Sequence, residues 1–148
     1  MAMKWIVKTF DELTTKELYE LLRLRAEVFV VEQNCPYQDM DDKDLQSYHV
    51  MGYEQKHLAA YTRIVEPGIS YPEIAIGRVV VSPKNRGQRL GVKVMEESML
   101  YIETKLKPQA IRLSAQSHLH KFYADLGFVF TGKEYLEDGI PHMEMWRG

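Results

Sequence analysis

With 148 residues, 45% of them hydrophobic and 27% charged, the chain can bury one core without cross-links and is too short for two ordinary domains. Its formal net charge of -2 gives no footing for a nucleic acid or an anionic membrane surface, so any phosphate must be held by local basic residues. No apolar run approaches the ~20 residues that cross a bilayer, the first residues lack the apolar core of a signal peptide, and the single cysteine, Cys35, has no internal partner; the expectation is a cytoplasmic protein.

Residues 5–10 alternate apolar and polar side chains and read as a first strand. Thr14-x-x-Glu17 then has the form of a capping box, and Leu18, Leu21, Leu22, Val28 and Phe29 supply one apolar face of a helix that ends near Phe29. Arg25 falls on that same face, where a guanidinium needs a carboxylate partner or a ligand. Residues 30–46 show no period and are rich in turn formers, which suggests a functional loop. Asp39, Asp41, Asp42 and Asp44 lie within it without the sharp-turn glycine and closing glutamate of a calcium loop, so they read as solvated turn residues.

Residues 48–53 and 58–65 read as two strands of a hairpin that turns at Glu54-Gln55-Lys56. Residues 73–82, with Val79, Val80 and Val81 in a row, form a buried strand that Pro83 ends. A short basic loop follows, Arg86-Gly87-Gln88-Arg89-Leu90-Gly91-Val92, and then a helix with Val92, Met95 and Met99 at helical spacing, running to about Leu106. The first turn of such a helix leaves several N–H groups without partners, and the peptide dipoles add partial positive charge, so this geometry can hold a phosphate; an ordinary strand-to-helix turn is the alternative.

Residues 110–115 form a short strand. Ser117 can cap a third helix carrying Leu119, Phe122, Tyr123 and Leu126 that closes at Gly127. Residues 128–131 and 142–146 are the last strands, with a turn at Asp138-Gly139. His49, His57, His118 and His120 have no ligand spacing, so no metal is expected. The order β-α-β-β-β-α-β-α-β-β predicts a single α/β domain over residues 1–148, a mixed central sheet flanked by helices.

Val81-x-Pro83-x-x-Arg86-x-x-Arg89-x-Gly91 resembles the acyl-CoA pyrophosphate loop of the GNAT superfamily of N-acetyltransferases, with Arg89 standing where that superfamily usually has glycine. Residues 24–39, 76–82 and 137–142 resemble its ElaA-like branch. The resemblance implies a GNAT fold whose strands ending at Val81 and Ala115 splay to admit the pantetheine arm. It implies a CoA site made of Val79, Val80, Val81, Arg86, Gly87, Gln88, Arg89, Leu90, Gly91, Val92 and Gln116. Phe122-Tyr123-Ala124-Asp125-Leu126-Gly127-Phe128 resembles the superfamily's Tyr-x-x-x-Gly-Phe segment, which makes Tyr123 the proton donor to the departing thiolate; a core tyrosine is the other reading of that position. Arg25, Phe29, Glu32, Gln33, Tyr37 and His142 are the implied acceptor-side residues. Glu73 is the first choice of general base, with Glu32, His142 and a water relay to bulk solvent as competitors; a solvated strand-end carboxylate is the other reading of Glu73.

The activity so implied is acetyl-CoA-dependent N-acetylation of a primary amine, on a small molecule or a peptide, by direct attack in a ternary complex. A non-catalytic acyl-CoA-binding sensor on the same fold is the alternative, and it would have no need of Tyr123. The sequence leaves the acceptor open, and also whether the chain forms a homodimer.

Overall fold

The structure is a computed structural model that describes residues 2–148. Its elements follow the expected order: β1 (Met3–Thr9), α1 (Thr15–Arg25), β2 (Ser47–Glu54), β3 (His57–Val65), β4 (Ile74–Val81), α2 (Leu90–Tyr101), β5 (Ile111–Gln116), α3 (His120–Asp125), β6 (Val129–Glu137) and β7 (Ile140–Arg147). The strands form one sheet in the order β1-β2-β3-β4-β5-β7-β6, antiparallel except where β4 and β5 run parallel.

The Thr14–Glu17 capping box is present, with the Glu17 amide donating to Thr14 Oγ1 at 3.1 Å and the Thr14 amide to Glu17 Oε1 at 2.9 Å. No glycine or proline lies between Arg25 and Glu32, so the helical path does not stop near Phe29 but widens into π-type turns over Ala26–Glu32. Ser117 is a correction in the other direction. It opens a 3-10 turn and its side chain caps nothing, and α3 begins only at His120. The last two strands are longer than expected because Asp138 and Gly139, both at positive φ, close a tight hairpin, while a bulge between Phe130 and Glu134 hides the alternation of β6.

Alternation along the central strands sends side chains to two cores. Val50 of β2 and Ala60 of β3 join Leu90, Val94 and Met95 of α2 on one face; Met51 and Tyr61 join Leu21, Leu24 and Val28 of α1 on the other. The buried face of α2 is therefore Leu90, Val94, Met95 and Ser98, with Met99 at its margin and Val92 outside it.

Two irregularities shape the centre of the sheet. β4 and β5 pair only through Ile74 with Ile111 and Ala75 with Arg112, and beyond those residues they diverge. β4 also carries a bulge: Tyr61 pairs with Val80 but Arg63 with Gly77, so Arg78 and Val79 together oppose Thr62, and Arg78 takes φ +54°. The extra residue reverses the alternation. Ile74 and Ile76 face the α2 core, whereas Val80, another even position, faces the α1 core.

Candidate active site

Between β4 and α2 the chain makes a 3-10 turn at Pro83–Asn85, and Gly87 and Arg89 take φ of +84° and +59°. Arg89 thus adopts the left-handed conformation that glycine adopts freely and other residues reach at a cost of roughly 1–2 kcal/mol. Its side chain is exposed. Among the described residues, no acceptor is paired with the amides of residues 86–92; the first to find one is Lys93, at 3.2 Å from the Arg89 carbonyl. Open space surrounds the Cα of Gly87, while a Cβ on Gly91 would lie 3.4 Å from the Phe122 ring. The result is a helix N-terminus with a row of free donors, open at Gly87 and flanked by Phe122 at Gly91.

Arg86 is engaged elsewhere. It forms a forked ion pair with Glu32, Nη1 to Oε2 at 2.5 Å and Nη2 to Oε1 at 2.6 Å. These bonds raise the guanidinium's pKa and lower that of the Glu32 carboxyl. Glu32 accordingly sits at the mouth of the basic loop, not in the acceptor cavity.

Where β4 and β5 part, a cavity of about 530 Å³ opens, lined among others by Gly77, Val79, Ser114, Gln116, Tyr123 and His142. Tyr123 reaches it from α3. Its ring meets Phe122 and Phe128 edge-on, and burial alone, with no hydrogen bond or nearby charge to offset it, pushes its hydroxyl's pKa up to about 12. A phenol in that state keeps its proton at neutral pH and can give it to a stronger base. Gln116 Nε2 donates to Gln33 Oε1 at 3.3 Å, joining β5 to the loop after α1. Phe29, Gln33 and Tyr37 also line the cavity.

His142 also lines the cavity, and its ring is fixed from several sides. Because the Ile140 carbonyl 2.7 Å away can only accept, Nδ1 carries a hydrogen, and Nε2 lies 3.4 Å from Glu137 Oε2. The ring stacks on Tyr135, whose hydroxyl donates to Ser114 Oγ.

Glu73 is not so placed, which corrects the first choice of base. The parallel pairing of Ala75 with Arg112 sets that guanidinium beside Glu73, and Nε and Nη2 bind its two oxygens at 2.9 and 2.8 Å. Arg112 holds the carboxyl below its ordinary range, its Nη1 takes Glu144, and Glu73 does not line the cavity.

Arg25 is also corrected as an acceptor contact, since it is fully buried and its donors are taken by Asp39 and Asp44. These two aspartates, together with Asp41, are not solvated turn residues. Asp44 also binds Arg63, Arg63 binds Asp41, Asp41 meets Arg78, and Arg78 binds Asp39, which returns to Arg25. Three arginines and three aspartates close a ring of alternating charge that ties residues 39–44 to α1, β3 and the β4 bulge. Burial alone would raise Asp41, but the hydrogen bonds and charge of Arg63 outweigh it and hold the carboxyl far below its usual range. Neither Arg63 nor Arg78 stood out in the sequence. Each interrupts an apolar strand, and a buried guanidinium demands carboxylates, which the Asp-rich loop alone has to spare.

A mixed sheet split between two parallel strands, with a bare helix N-terminus above the split and a tyrosine inside it, is the architecture of an acyl-CoA-using acyltransferase. Residues 11–147 match the family model described as acetyltransferase (GNAT) domain, and the chain belongs to that family. Within it, the chain falls in the ElaA-like branch: it is 40% identical to protein ElaA of Escherichia coli over 147 residues, 98% of this chain and 96% of that one. The crystal structure of E. coli ElaA matches with a TM-score of 0.92 at 39% identity, covering 99% of this chain and 100% of the other. An acyl-CoA N-acyltransferase from Pseudomonas aeruginosa matches with a TM-score of 0.94 at 44% identity, over 99% and 100% of the two chains. An aminoglycoside 6'-N-acetyltransferase crystallised with coenzyme A shares the fold at 15% identity, with a TM-score of 0.71 over 96% of each chain.

Proposed function

We propose that the protein is an acetyl-CoA-dependent N-acetyltransferase of the cytoplasm, which moves an acetyl group to a primary amine by direct attack in a ternary complex. The observation that carries this reading is Tyr123, protonated in the cavity and next in the chain to Phe122, whose ring lies against Gly91 in the row of free amides at residues 86–92. When bound, acetyl-CoA supplies an acyl group activated as a thioester. The residues fit it: amides 86–92 suit the pyrophosphate, and the edge of β4 beyond Ala75, which β5 leaves unpaired, offers main-chain donors near Val79, Val80 and Val81 for the carbonyl oxygen.

As the new carbon–nitrogen bond forms and the carbon–sulfur bond breaks, the amine must lose one proton and the thiolate must gain one. His142 Nε2, with Glu137 beside it, takes the first, and Tyr123 gives the second. Glu73, neutralised by Arg112, has no part in this scheme.

The test is release of free CoA thiol from acetyl-CoA across polyamines, amino acids, aminoglycosides and peptides. Amine-dependent release, with acetylated amine in equal amount, supports the reading. Tight CoA binding with no release for any amine would instead identify a sensor.

A further inference from the structure

Resting on the transferase reading, the charges of the cavity wall narrow the acceptor. The six groups of the Arg–Asp ring cancel one another, so Asp41, Arg63 and Arg78, though they line the cavity, add no net charge to it. What remains is uneven. The β6–β7 hairpin contributes Glu137, whose carboxylate meets only His142, and Asp138, whose carboxylate has no partner among the described residues. The wall built from the Asp-rich loop and residues 70–78 contributes Lys43, whose ammonium donates to Ser70 Oγ at 2.9 Å and pairs with no carboxylate among the described residues.

Arg78 lies on the same wall, and its orientation is fixed. Nε binds Asp39 Oδ1 at 2.8 Å, Nη2 binds the Asp39 carbonyl at 2.9 Å, and the guanidinium sits over the Tyr37 ring at 5.9 Å. Nη1 is left without a protein acceptor among the described residues. A guanidinium locked in its plane with one donor unused loses little freedom when it meets an anion, and an unpaired ammonium on the same wall supplies the charge.

We propose that the acceptor carries a carboxylate as well as its amine: Lys43 Nζ and Arg78 Nη1 bind the carboxylate, while Glu137 and His142 receive the amine. The acceptor class is thus an amino acid or a peptide with a free carboxylate. A singly charged group matches the single uncompensated lysine, whereas a phosphate dianion would leave excess negative charge in a cavity that already holds Glu137 and Asp138.

The experiment compares matched acids and carboxamides: the α-amino acids, 4-aminobutyrate, 6-aminohexanoate and glycyl dipeptides. Binding is measured by calorimetry on CoA-saturated protein, and turnover by thiol release from acetyl-CoA. The best acid is expected to exceed its amide by roughly tenfold in affinity and in kcat/KM, the scale of one charge-assisted hydrogen bond. In Lys43→Met the acid-to-amide ratio falls toward one, and in Arg78→Lys, which keeps the ring's charge but not the planar donor, it falls in part. Because the ratio is taken within one variant, it is independent of the fraction of protein folded. Equal acids and amides in the wild type, or an unchanged ratio in Lys43→Met, overturn the carboxylate subsite and leave the transferase standing if any amine turns over. Preferential binding of acids with no turnover for any amine keeps the subsite and removes the transferase.

Discussion

Arg78, its backbone held at φ +54°, binds the Asp39 carboxylate through Nε at 2.8 Å and the Asp39 carbonyl through Nη2 at 2.9 Å, and these bonds join the bulge of β4 to the loop that follows α1. The bulge turns Val79 and Val81 toward one core and Val80 toward the other, so the ring of ion pairs and the edge of β4 that borders the cleft are mechanically one unit.

Such a ring is a weak source of stability as a whole but costly to break, because removing one partner strands a buried opposite charge. Asp44 bridges Arg25 and Arg63, both almost fully buried. Asp44→Asn is expected to lower the unfolding free energy by about 3–5 kcal/mol, read from the shift of the urea midpoint. A loss below ~1 kcal/mol, the range of an exposed pair, would show that the ring does not hold the loop.

The same ring sets an acid limit. Asp41 and Asp44 have pKa values lower in the folded chain than unfolded, so the unfolded chain binds more protons at low pH. Their contribution is complete above the unfolded carboxylate value near ~4 and is lost as pH falls through the folded values. Urea midpoints should therefore decline gently below about pH 6.5, where the unfolded chain protonates His49 while burial keeps it neutral in the folded one, and drop steeply below about pH 4, and Asp44→Asn should show a shallower drop in the acid range. Midpoints that stay level to pH 2 would contradict the pairing.

Tyr123→Phe removes one hydroxyl and leaves the Phe122 and Phe128 contacts of the ring in place. Turnover is expected to fall by about 10²-fold, the lower end of general acid catalysis, with CoA affinity by calorimetry nearly unchanged. An unaltered kcat with every active amine would take Tyr123 out of the reaction.

Two further substitutions separate the candidate bases. Glu73→Gln is expected to keep kcat within about twofold and to leave its pH profile unmoved, because the carboxylate already answers to Arg112. His142→Gln is expected to lower kcat by about 10²-fold. The reverse pattern would restore Glu73.

These outcomes bear on what could be read from residues alone. Strand and helix order was legible because it rests on local patterns: the run of valines before Pro83, the Thr14–Glu17 box and the Asp138-Gly139 turn each act within a few residues. The turn from β4 into α2 through Gly87 and Arg89 was legible for the same reason. The partners of Arg25 were not, since Asp39 and Asp44 lie 14 and 19 residues away in a stretch without period, and Arg78 reaches the ring only because of a bulge that no periodicity announces. Glu73 was misjudged because its fate depends on the parallel pairing with β5, a contact 39 residues distant.

The central claim, that the main chain of residues 86–92 grips the diphosphate of an acyl-CoA, is tested most directly by following backbone amide resonances as CoA is added. The amides of Gly87, Leu90, Gly91 and Val92 should move downfield to a saturating limit, together with those of the β4 edge near Val80, while amides of the β1–β2 hairpin stay in place. CoA that binds without moving residues 86–92, or that does not bind at all, would contradict the account.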